Sequence, residues 1–373
     1  MRISVGVAAI MLAAVSGPAA AQDVDHVVQA ATQAFLAAHP QAAGVAIGVV
    51  KDGKTYFYNY GLADRNRHVP VTSDTLFPIA SVTKTFTGTL LAYAQLDGKL
   101  KLDDDIRHYL DGDYPNLESG GRAIHIADLV DHRSGLPFFI PETPETQADF
   151  KSDTPWLARI NALEQGYSRA DFYADLHKAR LAGKPGEVVQ YSNAGAMLAG
   201  YILERVYHTP YETLVGDRIL KPLGMTATAI IPTSRQRPRL AVGYDDGGRV
   251  MPGDDIVLQG AGALKSSTRD MVKYVAWEMD ESHPAVAMSH QAQATSGNYA
   301  AGLNWQMLTA GDRRVVWQTG NIDGFHSYCI VEPELKIGLV VLFNEADVKS
   351  NPAHGEMVDT ILKGLDAQAV LLP

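Results

Sequence analysis

The run Gly44-Val-Ala-Ile-Gly-Val-Val50 is rich in β-branched residues and leads into a turn sequence, Lys51-Asp-Gly-Lys54. A further β-rich run, Thr55-Tyr-Phe-Tyr-Asn-Tyr60, follows the turn directly. Two such runs around Asp-Gly are typical of a β-hairpin, because both turn residues tolerate positive φ angles. The sequence therefore predicts an antiparallel pair of strands near its start.

A second pair of β-rich runs lies towards the C-terminus. Ser327-Tyr-Cys-Ile-Val331 and Ile337-Gly-Leu-Val-Val-Leu-Phe343 flank a turn at Pro333-Glu334. Between the two pairs the spacing of apolar residues is mainly helical, most clearly in residues 82–97 and 194–207. The first of these segments stops at a glycine, Gly98, which is a common C-cap, and residues 355–366 predict a terminal helix.

Strands at both ends and helices in the middle predict an α/β (α+β) fold. The expected architecture is an antiparallel sheet built from both termini and flanked by helices, with an inserted, mostly helical domain. Residues 22–80 plus about 240–373 would form the sheet domain, and about 81–239 the helical domain. The proline-containing stretch 141–155 is predicted to be a long loop.

The first 21 residues have the pattern of a secretory signal peptide. Arg2 precedes an apolar run at residues 3–15, and Pro18-Ala-Ala-Ala21 offers the small residues that a signal peptidase recognises. Cleavage after Ala21 predicts a secreted, periplasmic protein without stable membrane insertion. An uncleaved anchor is the alternative, but the apolar run is shorter than the about 20 residues of a membrane span.

Composition excludes several classes of function. The 373 residues include 32 Lys and Arg against 42 Asp and Glu, a formal net charge of −10, which does not suit nucleic-acid binding. The single cysteine, Cys329, excludes an intramolecular disulfide and a cysteine-based zinc site. There is no Gly-x-Ser-x-Gly and no His-Glu-x-x-His, and the histidines are scattered along the chain, so we predict no metal site. The sequence leaves the oligomeric state open.

Ser81-Val-Thr-Lys84 lies at the start of the first predicted helix. The spacing of three places Ser81 and Lys84 on one helix face, near the N-terminal N–H groups that favour developing anions. A serine becomes an effective nucleophile when a base takes its proton, and Lys84 would be that base if burial destabilised its ammonium form. A capping serine beside an exposed lysine is the alternative.

Two further pieces carry candidate chemistry. Tyr191 and Asn193 lie at a turn before the second helix, where a phenol can shuttle a proton and an amide can brace a lysine or bind an amide substrate. Ordinary turn chemistry is the alternative. Trp317-Gln-Thr-Gly-Asn-Ile-Asp-Gly-Phe325 directly precedes the predicted strand at Ser327. It is either a strand edge that holds an extended substrate or a plain glycine-containing β-turn.

In this order the three pieces resemble the serine β-lactamase/penicillin-binding-protein superfamily, whose signature includes Ser-x-x-Lys and Lys-Thr-Gly. The similarity is greater to the branch with class C β-lactamases, D-Ala-D-Ala peptidases (S12-type) and related serine esterases. Leu129-Val-Asp-His-Arg-Ser-Gly-Leu-Pro137 and Pro222-Leu-Gly-Met225 also resemble segments of that branch. The resemblance covers nearly the whole chain after the signal peptide and implies a β-lactamase/transpeptidase-like fold.

The resemblance also implies roles for individual residues. Ser81 would be the acylated nucleophile, Lys84 and Tyr191 would share the acid/base work, and Asn193 would contact Lys84 and the substrate amide. The backbone N–H groups of Ser81 and Asn321 would form the oxyanion hole. The substrate-binding and oxyanion residues would be Asn193, Gln318, Thr319, Gly320 and Asn321, and the family needs no metal or cofactor.

Gln318 departs from the pattern, because the family usually has Lys or His at this position. That cation helps to recognise a substrate carboxylate, and its replacement by a neutral amide costs about 1–2 kcal/mol, or about tenfold in affinity or rate. The change makes a neutral ester or an unusual peptide a more plausible substrate. His326 is a candidate for a compensating charge, and packing beside the strand is its alternative role.

The leading hypothesis is a secreted serine hydrolase that forms an acyl-enzyme on Ser81. Its small-molecule substrate would be a β-lactam or a D-Ala-type peptide, ahead of the ester expected of a carboxylesterase with the same fold. A non-catalytic binding protein that retains the fold is a further alternative.

Overall fold

The protein is described by a computed structural model over residues 24–143, 166–251, 258–322, 324–346 and 350–373. The strands in these residues are, in chain order, β1 (Gly44–Lys51), β2 (Lys54–Asp64), β3 (Val69–Pro70), β4 (Phe77–Pro78), β5 (Glu118–Ser119), β6 (Arg122–Ala123), β7 (Lys265–Ser266), β8 (Ala294–Ser296), β9 (Tyr299–Ala301), β10 (Gln306–Ala310), β11 (Arg313–Ile322), β12 (Phe325–Glu332) and β13 (Ile337–Phe343). Nine of them form one antiparallel sheet in the order β3-β2-β1-β13-β12-β11-β10-β9-β8.

The helices of the same residues are α1 (Val24–Ala38), α2 (Thr83–Leu96), α3 (Ile126–Val130), α4 (Arg169–Leu176), α5 (Asn193–Tyr207), α6 (Tyr211–Val215), α7 (Lys221–Leu223), α8 (Gln259–Gly262), α9 (Thr268–Glu278), α10 (Pro284–Ser289) and α11 (Ser350–Leu365). A short 3₁₀ turn, Ala80–Val82, leads directly into α2. Within the described ranges no helix is both long enough and apolar enough to span a bilayer.

Both predicted hairpins are present. Lys51 pairs with Lys54 across a turn in which Asp52 and Gly53 both have positive φ angles, 50° and 75°, as Asp-Gly predicts. Strand β12 pairs with β13 from His326, opposite Phe343, to Glu332, opposite Ile337. Strand β1 lies beside β13, with Val45 opposite Phe343, so the two ends of the chain build one sheet and the predicted fold class is confirmed.

Strand β1 is buried on both faces of the sheet. Val45, Ile47 and Val49 face a cluster formed with α1 and α11, whereas Ala46 and Val50 face the opposite cluster. This alternation is the period of two that a β-strand imposes on its side chains. The second cluster includes residues of α2, α5 and α9, so helices cover both faces of the sheet.

Three features differ from the expectations. Helix α11 begins at Ser350, five residues before the predicted start, because a proline such as Pro352 fits the first turn of a helix. Residues 313–322 are a strand, so the plain-turn alternative for 317–322 is wrong. Strands β8 to β10 were not predicted.

Two predicted segments fall wholly or mostly outside the described residues. The signal peptide at residues 1–21 lies outside them entirely, and so does most of the predicted loop 141–155. The described helices α3 to α7 lie between residues 126 and 223. The division into sheet and helical domains stays a prediction.

A partly buried ionic network joins the C-terminal ends of α9 and α10 to the sheet. The His290 ring lies 3.1 Å from the carboxylate of Glu278 and 2.8 Å from that of Glu281. Glu281 also pairs with Arg314 on β11, and Arg314 lies 3.0 Å from Glu334. Burial alone would raise the pKa of Glu281, but the hydrogen bonds from His290 and Arg314 outweigh it and lower the pKa to about 2.

This lowered pKa predicts a pH-dependent contribution to stability. The stabilisation is fully present above the ordinary glutamate pKa of about 4.3 and is lost as the pH falls towards 2, because protonation breaks the charge-assisted bonds. We expect Glu281→Gln to lower the free energy of unfolding by about 1.5–3 kcal/mol at pH 7. Urea denaturation should show this difference shrinking between pH 4.5 and pH 2. The exposed Glu356→Gln is the control, and parallel curves for wild type and Glu281→Gln would contradict the prediction.

Candidate active site

Ser81 lies in the 3₁₀ turn before α2 and is half-buried. The preceding residue, Ala80, has a φ angle of +46°, which is uncommon for a residue other than glycine. Such backbone conformations persist only when the surrounding structure holds them. The turn is held here because the Ile79 N–H donates to the Leu264 carbonyl at 3.0 Å and the Ser327 hydroxyl donates to the Ile79 carbonyl at 2.8 Å.

Lys84 is the second residue of α2 and is fully buried. Its Nζ atom is 2.9 Å from Oγ of Ser81, 2.7 Å from Oδ1 of Asn193 and 2.7 Å from the carbonyl oxygen of Ala261. Burial lowers the pKa of Lys84 well below its usual range. A neutral amine has two N–H bonds and one lone pair. In the neutral form, the two N–H bonds of Lys84 donate to the two acceptors, Asn193 Oδ1 and the Ala261 carbonyl. The lone pair therefore faces the Ser81 hydroxyl.

Tyr191 and Asn193 reach this point through the start of α5. Ser192 caps the helix, with its hydroxyl accepting the Gly195 N–H at 2.9 Å, so Asn193 is the first helical residue. The Tyr191 phenol ring centroid lies 5.0 Å from Nζ of Lys84, and the Ser81 side chain is close enough to the phenol to lower its pKa. Burial raises the pKa of Tyr191 above its usual value, so the phenol keeps its proton at neutral pH.

Strand β11 approaches Ser81 through Gly320. A Cβ atom on Gly320 would lie 2.4 Å from the Ile79 carbonyl oxygen and 2.8 Å from the Ser81 backbone nitrogen, so the strand backbone is in contact with the nucleophile turn. Strand β10 pairs with β11 only from Arg313 to Trp317. Residues 318–322, which include Thr319 and Asn321, therefore pair with β12 on one side and with no described strand on the other.

Gln318 lies on this strand but its amide is used inside the protein. The side chain is 1% exposed, its Nε2 donates to the Asn304 carbonyl at 3.0 Å, and its Oε1 accepts the Thr319 N–H at 3.0 Å. Asn304 in turn donates to the Lys84 carbonyl at 2.9 Å. Gln318 thus connects β11 to α2, and it has little hydrogen-bonding capacity left for a substrate.

His326 does not supply the compensating charge that the sequence suggested. Its ring is buried and lies 3.1 Å from Nδ1 of His354, and burial lowers the pKa of His326 to about 4. The imidazole is therefore neutral at pH 7, and the alternative role of packing beside the strand is the one the structure supports.

Two contributions to the site escaped the sequence analysis. The Ala261 carbonyl is a backbone group, and no residue type marks it in the sequence. The His132 ring packs against Tyr191, with ring centroids 4.2 Å apart. His132 belongs to the Leu129–Pro137 segment that carries the family resemblance, and that membership is the one signal that could have singled it out.

The three catalytic candidates and one predicted substrate-binding residue, Asn193, therefore meet at one point: a serine at a helix start, a buried lysine, a phenol and an amide. A fold with this sheet and this site defines a serine hydrolase of the β-lactamase fold. The model of the Beta-lactamase family matches residues 25–359, and the chain belongs to that family. The protein is thus an enzyme, which sets aside the non-catalytic alternative.

Individual relatives agree with this membership. A β-lactamase from Pseudomonas fluorescens is 30% identical over 371 residues, covering 87% of this chain and 94% of the relative. A β-lactamase from Psychrobacter immobilis is 28% identical, covering 83% and 81%. The solved structure of a class C β-lactamase mutant superposes with a TM-score of 0.76 at 25% identity, covering 91% of this chain and 97% of that one. The predicted superfamily is confirmed.

Proposed function

We propose that the protein is a secreted, periplasmic hydrolase that forms an acyl-enzyme on Ser81 with β-lactams or D-Ala-type peptides. The observation that carries this proposal is the environment of Lys84, whose two acceptors leave a lone pair directed at the Ser81 hydroxyl. The β-lactamases among the relatives support the substrate class. The signal sequence supports export, and Gln22 at the N-terminus of the exported protein would support cleavage after Ala21.

Acylation follows from these contacts. As Ser81 Oγ bonds to the substrate carbonyl carbon, its proton passes to Nζ of Lys84. The negative charge that develops on the carbonyl oxygen would be stabilised by the N–H groups of Ser81 and Asn321, at the junction of α2 and β11. When the carbon–nitrogen bond breaks, the leaving nitrogen takes the proton of the Tyr191 hydroxyl, and the proton that Lys84 took from Ser81 passes to the resulting phenolate.

Deacylation reverses the roles. A water molecule attacks the acyl carbon, its proton passes to the Lys84–Tyr191 pair, and Ser81 Oγ recovers a proton as it leaves. An extended substrate would lie along the unpaired edge of residues 318–322, where backbone groups hold its amides. Asn193 would donate its amide N–H to the substrate while its oxygen stays on Lys84.

A carboxylester is the second candidate substrate. The family's usual cation is replaced by Gln318, which is buried and hydrogen-bonded to the Asn304 carbonyl, and His326 is neutral. Neither residue therefore offers a positive charge to a substrate carboxylate. An ester needs no such charge, so this pair of observations favours it.

The experiment is intact-protein mass spectrometry over time, with benzylpenicillin and p-nitrophenyl acetate in parallel. We expect an adduct with the mass of the whole drug, located by peptide mapping to the peptide that contains Ser81. A long-lived adduct would indicate a peptidase-like enzyme, and one that disappears as the drug is consumed would indicate a β-lactamase. Reaction with the ester alone would support the second candidate. Absence of any adduct and any substrate consumption would refute the proposal.

A further inference from the structure

His132 contacts the chain on both sides of Tyr191. Its backbone carbonyl accepts the N–H of Gln190, the residue before the tyrosine, at 2.7 Å. Its ring Nδ1 faces the N–H of Ser192, the residue after the tyrosine, at 3.4 Å. Between these two contacts the imidazole packs on the phenol itself, with ring centroids 4.2 Å apart. One residue therefore holds the backbone and the ring of Tyr191 together.

A left-handed backbone makes this triple contact possible. The φ angle of His132 is +63°, a conformation that residues other than glycine adopt in only a few per cent of cases. It turns the carbonyl and the side chain of the same residue towards one segment. A non-glycine residue in this region, at a site of candidate chemistry, is typical of strain that a function maintains.

The loop that carries His132 is itself firmly anchored. Arg133 pairs with the buried carboxylate of Asp131 at 2.6 Å. Its guanidinium also donates to the carbonyl of Gly186 at 3.2 Å and to that of Gln293 at 2.8 Å. The Arg133 carbonyl accepts the Gly186 N–H at 2.7 Å. The loop is thus tied both to the segment that leads to Tyr191 and to the edge of the sheet.

The ring contacts also determine the form of the imidazole. Because Nδ1 accepts the Ser192 N–H, the ring proton resides on Nε2, which has no hydrogen-bond partner in the described residues. Burial, with a smaller effect from Lys84, lowers the pKa of His132 to about 3. The ring is therefore neutral at the pH where Lys84 and Tyr191 would act, and neither of its nitrogens is bonded to Ser81.

We propose that His132 is a positioning residue that fixes the Tyr191 phenol against Ser81, through its carbonyl, its Nδ1 atom and its ring. The inference rests on the proposed function, because it assigns His132 to the same acylation step. His132 transfers no proton in this step. It holds the hydroxyl of Tyr191 where the leaving group needs it.

The test compares His132→Ala with His132→Asn. We expect His132→Ala to slow acylation about tenfold with little change in KM, because a displaced phenol donates its proton poorly while substrate contacts are intact. Asparagine tolerates the left-handed backbone, and its amide oxygen can accept the Ser192 N–H, so His132→Asn should recover part of the rate. The rate is measured by intact mass with benzylpenicillin, or with p-nitrophenyl acetate if only the ester acylates the wild type.

A double-mutant cycle distinguishes positioning from a general structural role. In a Tyr191→Phe background the hydroxyl is absent, so His132→Ala should cause no further loss. His208, which is exposed and has a φ angle of 52°, provides the matched control, and His208→Ala should leave the rate unchanged. Losses that multiply in the double variant, or the full wild-type rate in His132→Ala, would overturn the inference. A wild type that forms no Ser81 adduct and consumes neither substrate would instead overturn the proposed function.

Discussion

Ser81→Ala is expected to form no adduct with benzylpenicillin or p-nitrophenyl acetate and to lose hydrolysis by about 10⁴-fold or more. Without Oγ there is no atom to carry the acyl group and no serine proton for Lys84 to take. The fold should persist, because Nζ of Lys84 keeps its bonds to Asn193 and to the Ala261 carbonyl. Thermal unfolding and the time course of intact mass are the measurements.

A second serine provides the control for this variant. Ser289 is fully buried on α10, and its hydroxyl donates to the Val286 carbonyl at 2.9 Å. Ser289→Ala removes a buried hydrogen bond and should lower stability by about 1 kcal/mol while leaving acylation unchanged. An adduct in Ser81→Ala, or hydrolysis at the wild-type rate, would assign the nucleophile to another residue.

Gly320→Val is expected to slow acylation by about 100-fold or more and to lower the melting temperature. The new Cβ atom would lie 2.4 Å from the Ile79 carbonyl and 2.8 Å from the Ser81 nitrogen, closer than real contacts permit, and both are backbone atoms. Either β11 or the turn of Ser81 must therefore move. A displacement of about 1 Å between reacting groups suffices for a loss of this size.

A glycine-to-valine substitution at a position with free space around it distinguishes the effect of this close contact from the general effect of introducing a valine. Apart from its chain neighbours and its own helix backbone, no atom of the described residues lies within 4 Å of the Cβ that Gly216 would carry, so Gly216→Val should acylate at the wild-type rate. Acylation rates by intact mass and melting temperatures by calorimetry are compared for the two variants. Wild-type acylation in Gly320→Val would show that the close approach of β11 to Ser81 is not needed for the chemistry.

The parts that the sequence predicted well are those set by local rules. The Asp52-Gly53 turn requires positive φ angles that few other dipeptides tolerate, so the first hairpin is readable without knowledge of the rest of the chain. The reach from Ser81 to Lys84 follows likewise from helical spacing. The strand and helix patterns predicted the fold class, and the family resemblance joined the catalytic motifs and implied a β-lactamase/transpeptidase-like fold.

The features that could not be predicted depend on contacts between buried groups that are far apart in the sequence. Side chains alternate between the two faces of a strand, and Gln318 follows this pattern. Its burial depends on the Asn304 carbonyl, and the sequence does not show that this carbonyl lies beside it. The Ala261 group that accepts a hydrogen bond from Lys84 is a backbone carbonyl, and no residue type marks such a group in the sequence. The sequence likewise does not reveal the role of His132, because that role depends on a left-handed φ angle and on contacts with the N–H groups of Gln190 and Ser192.

The pairing of β1 with β13 has a kinetic consequence. Val45 lies opposite Phe343, so the central seam of the sheet joins residues from nearly opposite ends of the chain. Contacts of this range make folding slow, because a long loop must close before they contribute. Until the last strand is available, the β1–β2 hairpin has an open apolar edge, which is the kind of edge that associates with other chains. Synthesis of nearly the whole polypeptide must therefore precede closure of the sheet, and any intermediate that persists before that point is a target for chaperones.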